Sequence, residues 1–166
     1  MRYIFMKFYT IQKLRAWEEA KSKGILTGNK DYIDEECLLD SYIWMMEQMK
    51  KRLKNYNDEF PIWLWLDTSN IYFNELLEDE YVLLEVNLPE DQVLISNFDA
   101  WHTIINNWHL DEEDDTITKE ESWKYIFDKE KLDKLGYGFD KEELQGVTGM
   151  IDCKNIKVLK YILNEK

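Results

Sequence analysis

The chain has 166 residues, 45% of them hydrophobic and 33% charged, with only six glycines and two prolines. That length suits a single domain, and the composition excludes a disordered, collagen-like or low-complexity chain. Thirty-four acidic side chains against 21 basic ones leave a net charge of −13, which weighs against nucleic acid or an anionic lipid surface as a partner.

The predicted elements begin with a strand over residues 2–11. Ile4, Met6 and Phe8 alternate there with Tyr3, Phe5, Lys7 and Tyr9, the period-two pattern of a half-buried strand. Residues 12–23 read as a helix, with Leu14, Trp17 and Ala20 on one face and Gly24 as its stop. Residues 34–54 carry Leu38, Tyr42, Met45, Met49 and Leu53 on one helical face. The methionines in that stretch read as core filler. After a turn at 55–58, Pro61 opens an apolar strand, Ile62 to Leu66. Both of its faces are apolar, which predicts a central strand covered on both sides.

Residues 67–80 read as an acidic connection with a helical turn at Ile71 to Leu77. Strands follow at 81–88, stopped by Pro89, and at 93–95. Ser96 or Asn97 caps a predicted helix from Phe98 to Trp108, with Trp101, Ile104 and Trp108 as its buried stripe. Thr118 and Glu121 form a capping box for a helix through Phe127. A further helical segment, Lys129 to Leu135, ends at Gly136. Residues 146–151 and 155–163 complete the chain as strands. Strands near both ends with helices clustered between them predict an α+β fold, with a mixed or antiparallel sheet in one domain, 1–166.

The charge is uneven. Residues 61–118 hold 14 acidic side chains and no basic one, with clusters at Glu78-Asp79-Glu80 and from Asp111 to Asp115. These read either as solvated loops or as an acidic face for a basic protein partner. Lys7 interrupts any signal-type run near the start. The longest apolar runs, 62–66 and 42–46, fall far short of the ~20 residues that span a bilayer. Cys37 and Cys153, the only cysteines, read as reduced thiols. The expectation is a cytoplasmic protein with no membrane or nucleic-acid partner.

Motifs for phosphate, nucleophile and metal chemistry are missing. Gly136-x-Gly138 lacks the third glycine of a dinucleotide loop, and no GxxxxGK or GxSxG occurs. Two cysteines and two histidines are too scattered for a zinc cluster, so no metal is expected. On the predicted helix after Asn97, the residues Asp99, His102, Asn106 and His109 share one polar face. Such a set suits acid–base work or a divalent ion, and equally an ordinary solvated helix face.

Several phrases occur together in order: Thr10-Ile11-Gln12 with Trp17 and Gly24-Ile25-Leu26, the run Tyr42 to Arg52, Pro61-Ile62-Trp63, Val93 to His102, Ser122 to Asp128, and Leu144-Gln145-Gly146. The set resembles a family of small bacterial proteins catalogued as a domain of unknown function. That resemblance brings no activity with it. A second resemblance is to the ADP-ribosyltransferase-like fold, carried by Thr10-Ile11-Gln12, Gly24-Ile25-Leu26 and Gln145-Gly146-Val147 in that order. It implies a pocket for NAD or a related nucleotide near the first strand and the late Gln145. Tyr9 and Thr10 stand where that fold carries a His or Arg, and Val147 or Thr148 where it carries an acid, so the resemblance implies binding more than transfer. The candidate ligand-binding residues are Thr10, Gln12 and Gln145 for hydrogen bonds, and Trp63 and Trp65 for stacking on a base.

Overall fold

In a computed structural model, residues 4–32, 38–69, 71 and 79–163 are described. Strand β1 (Phe5–Lys13) runs without a break into helix α1 (Leu14–Lys23). Its alternation buries Phe8 and Thr10 on one face. The junction falls two residues later than the sequence predicts. The reason is tertiary: Gln12 and Lys13 still pair with Val82 and Tyr81, and the Leu14 N–H donates to the Glu80 carbonyl. Helix α1 buries Trp17 and Ala20 and stops at Gly24. Gly24 has φ +81°, and its N–H reaches the Ala20 carbonyl at 2.7 Å.

Helix α2 (Leu39–Arg52) buries Trp44, Met45, Gln48 and Met49, so two of the methionines are core, as the pattern indicates. Strands β3 (Ile62–Trp65), β4 (Tyr81–Pro89) and β5 (Leu94–Asn97) follow. Helix α3 (Phe98–Ile105) is capped by Asn97, whose Oδ1 accepts the Ala100 N–H while its Nδ2 donates to the Gly138 carbonyl. Helix α4 (Lys119–Trp123) has the predicted Thr118–Glu121 capping box and continues as a 3-10 turn to Phe127. Helix α5 (Lys129–Leu135) ends at Gly136. Strands β6 (Leu144–Thr148), β7 (Ile151–Asp152) and β8 (Ile156–Ile162) close the described chain. The predicted helical turn at 71–77 lies outside the described residues except for Ile71, as do Cys37 and Glu78.

Six strands form one antiparallel sheet in the order β5-β6-β3-β1-β4-β8, and a short strand β2 (Ile25–Leu26) pairs with β7 beside it. The fold is α+β. The apolar strand 62–65 is central, third of six, as its two apolar faces require. One face carries Phe8, Ile62, Leu64, Val82, Leu84, Val86 and Leu88, covered by Trp17 and Ala20 of α1. The other carries Val147 and Leu94, covered by Trp44, Met45 and Met49 of α2, Trp101 and Ile104 of α3, and Trp123, Ile126 and Leu132 behind them. Among the described residues no helix is long and apolar enough to cross a membrane.

Two expectations for the segment after Asn97 are corrected. The helix stops at Ile105 instead of running to Trp108. Asn107 turns left-handed at φ +61°, its N–H bonds to the Ile104 carbonyl, and the Trp108 N–H bonds to the Thr103 carbonyl. This is a Schellman closure with Asn where Gly is usual. Trp108 therefore leaves the buried stripe and is 62% exposed.

Candidate functional site

The most distinctive feature of the sheet is where it fails to close. Strand β3 pairs with β6 over its whole length, from Ile62↔Thr148 to Trp65↔Gln145, yet with β1 only at Tyr9↔Trp65. Continuing that register would set Ile11 against Trp63 and Lys13 against Pro61, which has no N–H to give. The strands part instead. The Thr10 hydroxyl donates to the Trp63 carbonyl at 2.8 Å, taking an acceptor the ladder would otherwise use, and Gln12 Nε2 donates to Thr10 Oγ1 at 2.9 Å.

The parting leaves a cleft of about 180 Å³ lined by Thr10, Gln12, Gly28, Tyr42, Phe60 and Trp63 with their chain neighbours. Thr10 and Gln12 pair with Leu84 and Val82, core residues of the α1 face. Trp63 packs on Trp101 of α3, at 5.0 Å between centroids, and on Tyr42 of α2, at 5.8 Å. The cleft thus sits in the gap between the strands, approached by polar side chains from one face and aromatic ones from the other. Gly28 forms part of its wall by necessity, because a Cβ there would run into the Phe60 and Pro61 carbonyl oxygens. Burial pushes the Tyr42 phenol up from its ordinary value, and the neighbouring Trp63 side chain pulls it partly back. The buried Trp63 indole N–H nevertheless closes no hydrogen bond of ordinary length and angle.

The five predicted ligand-binding residues are divided. Thr10, Gln12 and Trp63 line this cleft; Trp65 and Gln145 do not. Position along the ladder explains the division. Trp65 sits opposite Tyr9 at the one closed β1–β3 pair, and Gln145 lies beyond it on β6, facing Trp65 and Ser96. Gln145 Nε2 donates to Ser96 Oγ at 3.2 Å with both residues buried, so it serves as an internal brace between β5 and β6. Trp65 stacks on Phe98, which packs edge-on against His102. Sequence reading missed Tyr42, Phe60 and Gly28 as cleft residues. Pro61 and the small Gly28 were the available signals, but neither reveals which strands part.

The polar quartet is not carried on one helix, because α3 ends before His109. Asp99 is exposed. His102 Nδ1 engages the Phe98 carbonyl at 2.8 Å, and Asn106 Nδ2 donates to the His102 carbonyl. His109 lies past the helix. Its Nδ1 accepts the Asp111 N–H at 3.0 Å, which assigns the proton to Nε2, facing the Ile117 carbonyl at 3.3 Å. Both histidines thus brace local backbone. Among the described residues no group of three His, Cys, Asp or Glu could hold a metal ion.

The two acidic clusters are also separate. Asp79 and Glu80 lead into β4 beside the β1–α1 junction, where Lys13 approaches Asp79 at 3.8 Å. Asp111 to Asp115 form a looped turn held over α4 by the Leu110 N–H to Ser122 Oγ and by the Trp123 indole N–H to the Trp108 carbonyl. Asp111, Glu112 and Glu113 border a broad concavity of about 450 Å³ that also includes Trp108 and Tyr137. The Thr116 hydroxyl, and after it the Thr116 N–H, hold the Asp114 carboxyl below its ordinary value.

These features define an α+β protein built on a six-stranded antiparallel sheet, with a cleft between two parted strands that carries no charged side chain among its described lining residues. The chain belongs to the family described as Domain of unknown function (DUF3841), whose model matches residues 7–144. The match takes in β1 from Lys7 onward, the described cleft lining and the five described α-helices, and ends at the first residue of β6. Comparison with curated proteins and with solved structures gave no match.

Proposed function

We propose that the protein is a cytoplasmic small-ligand-binding domain, with the β1–β3 cleft as its site and a nucleotide-like molecule, NAD or a relative, as its ligand. The observation that carries this reading is the parted ladder itself. Opening a sheet between two central strands forgoes backbone hydrogen bonds, and here two specific residues accompany the gap: Thr10, whose hydroxyl takes the Trp63 carbonyl, and Gly28, where no larger residue fits. Polar and aromatic groups converge there, as small-molecule sites require. Binding without chemistry is the narrower reading. Val147 and Thr148 stand where the ADP-ribosyltransferase-like resemblance calls for an acid, and Val147 is fully buried in the core.

The test is a thermal-shift titration with NAD, ADP-ribose and AMP. A ligand at a hundredfold over its dissociation constant adds ~2.7 kcal/mol, a rise of several degrees in a domain of this size. The expected result is a shift with at least one of them that disappears in Thr10→Val and persists in Gln145→Leu. No shift with any of the three argues against the reading.

A second reading, an acidic surface for a basic protein, is favoured by one observation. Trp108 is exposed beside Asp111, Glu112 and Glu113 on the broad concavity, an arrangement that suits a cationic side chain. A complex captured at low salt and lost both at high salt and in Trp108→Ala would support it.

A further inference from the structure

Building on the ligand-binding reading of the cleft, we infer that it recognises one uncharged flat ring through an adjacent hydrogen-bond donor and acceptor, and that a ligand's phosphates stay outside it. Three observations converge on this.

The first is size. A cleft of about 180 Å³ compares with the engineered cavity of ~150 Å³ that holds a benzene molecule, and falls below the ~300 Å³ at which pockets for larger ligands begin. One ring system fits; a whole dinucleotide does not.

The second is charge. Among the described residues lining the cleft there is no Lys, Arg, His, Asp or Glu. An anion entering it would lose its hydration with no countercharge to replace it. Phosphate recognition ordinarily uses a cation or a helix N-terminus, and the lining offers neither.

The third is the orientation of Gln12. The Thr10 hydroxyl spends its proton on the Trp63 carbonyl, so toward Gln12 it can only accept. The Gln12 group facing it must therefore be the amide nitrogen. This relay fixes the rotation of the terminal amide. It leaves Oε1, and the Nε2 hydrogen not given to Thr10, on the same amide group with no described residue engaging either. An acceptor next to a donor matches a ring edge that presents a donor next to an acceptor, as a carboxamide, a uracil or an adenine does. Tyr42 and Phe60, stacked at 5.5 Å, give an aromatic wall.

The experiment is ligand-observed NMR on the full chain, with four probe pairs. Nicotinamide is compared with N,N-dimethylnicotinamide, and uracil with 1,3-dimethyluracil; in each pair the second member keeps the ring and loses the N–H. Uridine is compared with UMP, and adenosine with AMP, to isolate the phosphate. The expected result is binding of at least one free ring, weakened about tenfold or more by methylation, the loss of one well-placed hydrogen-bond pair. Adding phosphate should change affinity by less than about threefold. Thr10→Val, which frees the Gln12 amide to rotate, should weaken the same ring by a similar factor.

Methylated and unmethylated rings binding alike would overturn the inference, as would UMP or AMP binding at least tenfold tighter than its nucleoside. In either of those cases the cleft remains a ligand site. If none of the eight probes binds, both the inference and the ligand-binding reading fall together. Because the methylation and phosphate arms use the unmodified protein, the outcome does not depend on a variant folding.

Discussion

Strand β3 has two neighbours and treats them differently. Toward β6 its ladder is complete, and the polar side chains along it are consumed internally: Gln145 braces Ser96, and Thr148 bonds the Gln92 carbonyl. Toward β1 the ladder has a single pair, and the outer edge of the Gln12 amide remains on offer there. A buried polar residue is thus a poor pointer to a site on its own. What distinguishes a brace from a binding group is whether the backbone around it is closed.

The largest effect belongs to the shared strand. Leu64 is buried between both neighbours in the α1-side core, and Leu64→Ala should cost ~2–5 kcal/mol in denaturant unfolding, damaging the two sides alike. Gly28→Ala should act on the open side only. The Phe60 and Pro61 backbone must move to admit the methyl group, which should cost ~1–3 kcal/mol and narrow the cleft enough to abolish ligand-induced stabilisation.

Thr10→Val and Gln145→Leu sharpen the comparison directly. Each leaves one buried or half-buried partner unsatisfied, the Trp63 carbonyl or Ser96 Oγ, and each should cost ~1–2 kcal/mol in the same unfolding assay. Only Thr10→Val should also change ligand affinity, because it releases the Gln12 amide.

The effect confined to high pH lies away from both sides of β3. Burial, with Asp58 and Glu59 nearby, pushes the Tyr56 phenol up to about 12. A folded-state value above the ordinary 10.0 means that the unfolded chain ionises first. The stabilisation is therefore complete below pH 10 and lost as pH rises toward 12. Tyr56→Phe should flatten that part of the stability–pH curve.

Much of the fold was legible in the chain. Alternation at 4–9, the two-sided apolar strand at 62–65, the Thr118–Glu121 box and the stops at Gly24 and Gly136 are local signals, and the structure has each of them. The end of α3 was not legible, because Asn107 adopts a left-handed turn that glycine usually takes, and nothing in the spacing of Trp101, Ile104 and Trp108 announces it. The candidate site was legible in part. Thr10, Gln12 and Trp63 meet, whereas Trp65 sits at the closed Tyr9 pair and Gln145 beyond it on β6, a pairing that only the folded sheet defines. The two-residue pairing of β2 with β7 is too short to leave any periodicity.

The most direct measurement is a two-dimensional amide NMR titration of the protein with whichever NAD-like nucleotide or ring gives the largest thermal shift. The account predicts chemical-shift changes concentrated at Thr10 to Gln12, Gly28, Tyr42 and Phe60 to Trp63, including the Trp63 indole N–H resonance, with Gln145 and Ser96 unmoved. Changes centred on Trp108 to Glu113, or on Gln145, would contradict it.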